Sequence, residues 1–325
     1  MNIIIIAGCG RMGQGIAITY ALAGYQIQLI DMKERNSKNF NLLLDQTITK
    51  LNSTLNILYN IKLIKKVHIK KIIKNISISH YSTSHKNLNF ADIIFECVPE
   101  KVIIKKDTLK ILSESTNKKI IIASTTSTIL SNELAKYVKF PERFLNAHWL
   151  NPPYLMPLIE VSPCSETKKK NIQRIFKSFI SIGKVPIKCK ASPGYIVPRI
   201  QTLAMNEAAR IYEEEIATSN DIDKSIIYGF GLRFAVLGLL EFIDWGGIDT
   251  LNNASSYMSK SMKNKRFETP KIVKNHIKKN NLGMSTKSGF MNWKSINIEN
   301  YQEEKLKKFV KITELLNIKP KINIK

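Results

Sequence analysis

The sequence predicts an α/β protein, a parallel sheet covered by helices on both faces, followed by an all-helical C-terminal domain. Three observations lead there. Short β-branched runs alternate with stretches of helical period from the N-terminus to Lys188, as in a parallel sheet with crossover helices. A glycine-rich turn, Gly8-Cys9-Gly10-Arg11-Met12-Gly13, separates the first run from the first helical stretch. Beyond Gly194 the apolar residues recur only at helical spacing.

Asn2 to Ala7 reads as a strand buried on both faces, because Ile3, Ile4, Ile5 and Ile6 leave no polar alternate. Arg11 to Gly24 reads as a helix with Ile16, Tyr20 and Ala23 on one side and Gly24 as its stop. Gln26 to Ile30 is the next strand. From Ser37 to Lys74 the apolar residues Leu43, Ile48, Leu51, Leu55, Leu58 and Val67 keep a helical pattern. The length of this stretch divides it into two helices projecting from the sheet. Strands are expected near Asn75–Ser79, Ala91–Val98, Lys119–Ser124, Phe144–His148, Leu158–Val161 and Lys184–Lys188. Tyr195 to Ala217 is a helix, and Asp221-Ile222-Asp223 opens another with carboxylates that suit its dipole. Tyr301 to Leu316 is a helix in a lysine-rich tail. The break at Ala191-Ser192-Pro193-Gly194 sets the expected domains: 1–191 with helices inserted at about 37–74, 192–293, and a tail over 294–325.

A chain of 325 residues, 44% hydrophobic and 23% charged, can bury a full core without disulfides or a structural metal. Cys9, Cys97, Cys164 and Cys189 form no C-x-x-C pair, which argues against a zinc ribbon or a redox dithiol. Reduced cysteines, no basic leader and no apolar run of spanning length give the expectation of a cytoplasmic protein without a metal or a membrane partner. The net charge of +24 invites a nucleic-acid reading. Lysine, however, outnumbers arginine roughly fivefold and is spread along the whole chain, whereas base readout favours the bidentate guanidinium. The expectation is therefore no nucleic-acid partner.

The G-x-G-x-x-G turn follows a buried strand, opens a helix, and precedes a second strand ending at Asp31. In that context it is the dinucleotide fingerprint of a doubly wound, Rossmann-type sheet. Gly8 permits the tight turn, Gly10 lets backbone approach a pyrophosphate, and Gly13 allows close helix–strand packing. The helix N-terminus, with Arg11 and Met12, holds the phosphates. Asp31 accepts from the adenosine ribose hydroxyls and disfavours a 2′-phosphate, so NAD is expected over NADP. Lys33 and Arg35 stand close enough to weaken that preference.

Of five histidines, His68, His80, His85 and His276 sit in polar or basic surroundings and are expected to face solvent. His148 ends the strand Phe144-Leu145-Asn146-Ala147, where open α/β sheets bind their ligands. Imidazole suits proton exchange with an alcohol. Glu160 is an acid in the apolar run Leu158-Ile159-Glu160-Val161. A buried carboxylate needs a partner, and His148 is the simplest one. The expected catalytic pair is His148 with Glu160.

These residues resemble the 3-hydroxyacyl-CoA dehydrogenase family, in particular its short bacterial 3-hydroxybutyryl-CoA dehydrogenase type. The resemblance rests on the glycine fingerprint, Phe95-Glu96-Cys97-Val98-Pro99-Glu100, Ser124-Thr125-Thr126-Ser127, Asn146-Ala147-His148-Trp149-Leu150-Asn151-Pro152, Pro193-Gly194-Tyr195-Ile196-Val197 and Gly289-Phe290. It implies His148 as general base, Glu160 as its partner, and Ser127 as a hydroxyl touching substrate and nicotinamide. Glu100, Lys105 and Asn151 match cofactor-contacting positions. The implied reaction is oxidation of an L-3-hydroxyacyl thioester, in a homodimer formed through the helical domain.

Two positions depart from the family. Pro198 replaces an asparagine that contacts substrate, with Gln201 or Asn206 as replacements, and Ser285 replaces a lysine that contacts the cofactor, with Lys287 nearby. Both bear on the substrate. Arg233 could bind a substrate carboxylate or phosphate, or pair within the helical domain. Lys62, Lys65, Lys66, Lys70 and Lys71 lie where the family meets the CoA nucleotide, and also read as a solvated helix face. The open alternatives are a sister dehydrogenase for a carrier-protein-bound hydroxyacyl group, carnitine or a sugar acid, and a non-catalytic dinucleotide-binding protein.

Overall fold

The computed structural model describes residues 3–318, without the side chains of residues 85 and 86. The expected strand start at Asn2, the side chain of His85 and the tail beyond residue 318 lie outside the described residues. The chain divides into two compact units, Met1–Ala204 and Met205–Lys325.

The first unit is built on one eight-stranded sheet in the order β3-β2-β1-β4-β5-β6-β7-β8. Its strands are β1 Ile3–Ala7, β2 Gln26–Asp31, β3 Ile76–His80, β4 Ile93–Glu96, β5 Ile121–Ser124, β6 Phe144–Trp149, β7 Leu158–Pro163 and β8 Val185–Lys188. The first six are parallel. Here the expectation of a parallel sheet needs one correction, because β7 pairs antiparallel with β6 and parallel with β8. The connection after β6, residues 150–157, is too short for a crossover and can only reverse the chain. The helix Lys169–Ser181 then supplies the crossover from β7 to β8.

Period 2 explains why the sheet is covered on both faces. Ile4 and Ile6 of β1 enter one apolar cluster with Ile16, Tyr20, Phe95, Trp149 and Phe179. Ile5 and Ala7 enter the opposite one with Leu109, Leu112, Ile122 and Leu134. The first helix, α1 Arg11–Leu22, ends before Gly24, whose φ of 87° only glycine adopts without cost. The inserted stretch is two helices, α2 Ser37–Asn60 and α3 Lys66–Lys74. Asn36 caps α2 by accepting from the Asn39 amide.

The division between units falls inside the helix Val197–Glu213. The second unit contains only helices and isolated bridges among its described residues. The helix at Asp221 runs over Ser219–Ser225, capped by Thr218, and continues as a π-helical turn, Ile226–Gly231. The tail helix runs over Ile298–Leu315 and belongs to this unit's packing. Glu241 accepts from Tyr301 Oη and pairs with Lys305 Nζ at 2.6 Å. Asp244 is buried and accepts from the amides of Phe290 and Met291 and from Trp293 Nε1. No single helix among the described residues is long and apolar enough to cross a membrane.

Candidate active site

Strand order reverses between β1 and β4, and in open α/β sheets that switch point opens a crevice beyond the carboxyl ends of the strands. Here the turns after β1, β4, β5 and β6 meet there, and the resulting cleft lies within the first unit. Arg11, Met12, Glu100, Ser127, His148 and Asn151 line it.

The turn after β1 has the expected geometry. Gly8 has φ 129°, and a Cβ there would stand 2.5 Å from the Cys97 carbonyl oxygen. A Cβ on Gly13 would stand 2.0 Å from the Gly8 carbonyl oxygen, so β1 and α1 touch backbone to backbone. Gly10 has nothing within 4 Å of a Cβ. It is the N-cap of α1, and no side chain caps that helix. The orphan amides and the positive dipole end therefore face an open space with no built-in anion, as a pyrophosphate requires. Asp31 ends β2 as expected, with its Oδ2 accepting from Arg35 Nε at 2.5 Å. Gly15 escaped the sequence reading. A Cβ there would stand 2.7 Å from Pro153 Cδ, so α1 packs tightly on the turn that follows β6.

His148 and Glu160 are directly opposed on the antiparallel pair β6–β7, which puts both side chains on one face. His148 Nδ1 lies 2.8 Å from Glu160 Oε2. Glu160 is fully buried, and its Oε1 accepts from the amides of Ile196 and Val197, each at 2.9 Å. Burial by itself would raise this carboxyl's pKa; the bonds from His148, Val197 and Ile196 outweigh it and hold the group below its ordinary range. An ionised carboxylate only accepts, so Nδ1 carries a proton, and in the neutral imidazole the lone pair is then on Nε2.

Tyr195 lies stacked on His148, ring centroids 5.1 Å apart and planes 13° off parallel. Its hydroxyl donates to the Thr126 carbonyl at 2.8 Å and accepts from Asn146 Nδ2 at 3.1 Å. Burial pushes its pKa upward. Tyr195 and Asn146 both stand in motifs that carry the family resemblance, but neither was assigned a role there, because the contacts with Thr126, His148 and each other that define it span 47 to 69 residues.

Glu100 and Lys105 both line the cleft wall. Glu100 Oε1 accepts from Thr126 Oγ1, from the amides of Ser127 and Thr128, and from Thr128 Oγ1. It thus fixes the loop that presents Ser127. Burial opposes its charge, but Thr126 and the Lys105 ammonium prevail and lower its pKa. Lys105, expected to contact the cofactor, lines the cleft as a buried residue. Its Nζ is buried on Glu96 Oε1 at 2.9 Å and Oε2 at 3.1 Å, with Glu100 Oε2 at 3.2 Å, so its donors are spent on the protein. Glu96, fully buried, also accepts from Ser124 Oγ at 2.5 Å. It is an acid in the apolar run Ile93-Ile94-Phe95, the same signal that singled out Glu160.

Other expected residues separate. Arg233 belongs to the second unit, is exposed, and holds its guanidinium 4.8 Å from the centroid of the Phe242 ring. Asn206 also lies in the second unit, whereas Pro198 and Gln201 line the cleft. His68 is exposed, and His80 and His276 are half-buried. His80 bonds to the Lys33 carbonyl and Ser82 Oγ, and His276 packs on Phe290. Lys184, unassigned by sequence, donates to the Pro153 and Met156 carbonyls at 2.6 and 2.9 Å. It clamps the turn between β6 and β7, and burial lowers its pKa. Among the described residues no cluster of His, Cys, Asp and Glu could hold a metal ion.

Two family models match the chain: "3-hydroxyacyl-CoA dehydrogenase, NAD binding domain" over residues 3–192 and "3-hydroxyacyl-CoA dehydrogenase, C-terminal domain" over residues 194–293. The chain is 29% identical over 292 residues to the 3-hydroxybutyryl-CoA dehydrogenase of Clostridioides difficile, covering 89% of this chain and 99% of that one. It is 26% identical over 314 residues to the 5-formyl-3-hydroxy-2-methylpyridine 4-carboxylate 5-dehydrogenase of Mesorhizobium japonicum, covering 96% and 97%. The solved 3-hydroxyacyl-CoA dehydrogenase of Archaeoglobus fulgidus shares the fold, with a TM-score of 0.77 at 24% identity over 98% of this chain and 100% of that one.

Proposed function

Because this chain belongs to the NAD-dependent 3-hydroxyacyl-CoA dehydrogenase family, we propose that it oxidises a short L-3-hydroxyacyl-CoA to the 3-oxoacyl-CoA with His148 as general base. The observation that carries this reading is the His148–Glu160 pair at the rim of the dinucleotide cleft. His148 Nε2 takes the proton of the substrate hydroxyl, and the imidazolium that forms is stabilised by Glu160 across 2.8 Å. The Tyr195 stack and the amides of Ile196 and Val197 keep both rings and carboxylate from turning. Ser127, held by Glu100 through its amide, offers its hydroxyl to the same substrate oxygen. NAD, when bound, accepts the hydride. The Gly8–Gly13 turn with Arg11 and Met12 would hold its pyrophosphate, Asp31 its adenosine ribose, and Asn151 the nicotinamide side. In the reverse direction His148 returns the proton.

A sister activity is favoured by one observation: Pro198 on the cleft wall supplies neither an amide side chain nor an N–H. A carrier-protein-bound hydroxyacyl group, carnitine, a sugar acid or an aromatic carboxylate would then be the substrate. Following NADH absorbance with acetoacetyl-CoA, acetoacetyl carrier protein, dehydrocarnitine and pyridine aldehyde carboxylates separates the readings. We expect acetoacetyl-CoA to give a kcat/KM at least about tenfold above the others, a gap of about 1.4 kcal/mol in transition-state binding. Turnover confined to a non-CoA substrate overturns the first reading.

The assembly we propose is a homodimer through the second unit, working in the cytoplasm, where its four unpaired thiols stay reduced. The stretch Ser219–Gly231 has no buried residue. Yet Ile226, Ile227, Tyr228 and Phe230 are 40–53% exposed, an apolar patch that asks for a partner surface. Sedimentation should give twice the chain mass, and Ile227→Glu should give the monomer. A monomeric parent protein would count against the dimer.

A further inference from the structure

The carboxylate that sets dinucleotide choice is already half neutralised. Asp31 Oδ2 is paired with Arg35 Nε at 2.5 Å, and among the described residues Oδ1 meets only the Lys33 amide, at 3.4 Å. The two cationic residues sit on a braced loop. His80, which faces Asp31 in the β2–β3 register, bonds to the Lys33 carbonyl through Nε2 at 3.0 Å. Its Nδ1 meets Ser82 Oγ at 2.7 Å, and Phe40 packs edge-on against its ring. Asn36 then caps α2 and ends the loop.

An aspartate at this position selects NAD in two ways: it accepts from the ribose hydroxyls, and its charge repels a 2′-phosphate. The Arg35 pair leaves the first intact, since Oδ1 and the second lone pair of Oδ2 can still accept. It cancels most of the second. The guanidinium uses one of its five donors on Asp31, and its side chain is 25% exposed. Lys33 adds an exposed ammonium. A 2′-phosphate placed beside Asp31 would meet two cations and one anion, a net single positive charge.

We propose that Arg35 is a specificity-determining residue that opens the cofactor site to NADP(H) alongside NAD(H). The proposal rests on the reading of Asp31 as the ribose-binding residue. Its effect is confined to the adenosine end of the dinucleotide, remote from hydride transfer.

Calorimetric titration of the intact protein with NADH, NADPH, ADP-ribose and 2′-phospho-ADP-ribose tests it without turnover. NADPH should bind within about thirtyfold of NADH. Arg35→Gln should weaken NADPH and 2′-phospho-ADP-ribose by about tenfold or more, the worth of one charge-assisted contact, while NADH and ADP-ribose stay within about threefold. NADPH binding should also weaken more steeply with salt. The proposal is overturned if NADPH binds beyond that thirtyfold limit, or if Arg35→Gln weakens both dinucleotides alike. Failure of NADH and ADP-ribose to bind at all would reject the cofactor site itself, a result distinct from a site that binds NADH and refuses NADPH.

Discussion

Replacing His148 by glutamine is expected to lower kcat by about 10²–10⁴-fold, the usual worth of a positioned general base, and to leave NADH affinity within about threefold. The separation follows from geometry. The phosphates would be met by the Gly8–Gly13 turn and the α1 N-terminus, while His148 stands on β6 in another part of the cleft wall. Glu160→Gln is expected to act nearly as strongly by another route. Glu160 Oε1 accepts two amides, from Ile196 and Val197, so a glutamine keeps its carbonyl there and turns its NH2 toward His148 Nδ1. Nδ1 would then have to accept, which moves the ring proton to Nε2 and removes the base. Single-turnover absorbance separates chemistry from release, and equilibrium titration reads the cofactor. A Glu160→Gln variant with the parent's kcat would sink the tautomer argument.

The same carboxylate carries a pH dependence with a definite sign. Its folded pKa is depressed, so its contribution to stability is fully present above the ordinary carboxylate value of about 4.3 and is lost as pH falls through the lower folded value. Acid melting should therefore loosen the β6–β7 pair, and Glu160→Gln should flatten that limb of the stability profile.

Lys105→Met is expected to cost roughly 3–5 kcal/mol, the penalty for leaving a buried charge without its partner. In a unit of this size that lowers Tm by on the order of 10 °C. Glu96 has no exposure and keeps only Ser124 Oγ and the Val98 amide as donors once Nζ is gone. Glu100 loses the same ammonium, and with it part of what orders the Ser127 loop, so kcat should fall together with stability. Combining Lys105→Met with Glu96→Gln should restore a large part of the Tm, because no orphan charge remains. If the double variant is no more stable than the single one, the buried pair is not the source. The pH sign is opposite to that of Glu160. Burial opposes the charge on Lys105, but Glu96 and Glu100 prevail and raise its pKa. The pair's stabilisation is complete below the ordinary lysine value of about 10.4 and is lost as pH rises through the higher folded one.

Much of this was legible in the chain itself because it depends on local period and local chemistry. Four consecutive isoleucines before a glycine turn read as a strand buried on both faces. A glycine turn between that strand and a helix has one common use, and an acid inside Leu158–Val161 must have a partner. The division of 37–74 into two helices and the change of period near Gly194 are local signals too. What the sequence by itself determined is therefore the order of the eight strands along the chain, the inserted helix pair, the dinucleotide turn and the identity of the His148–Glu160 pair.

Tertiary structure decided the rest. The reversal of β7 is set by what the 150–157 connection can span, and that reversal brings His148 and Glu160 into direct register. Glu96 found Lys105 nine residues on, Gly15 found Pro153, and Tyr195 found Thr126 and His148. Arg233, equally suggestive in sequence, went to the Phe242 ring instead. Each of these outcomes depends on which surfaces the packed sheet and helices bring within hydrogen-bonding or ring-packing distance. Period and spacing along a chain carry no term for such contacts, because the partners are joined only after the core has closed.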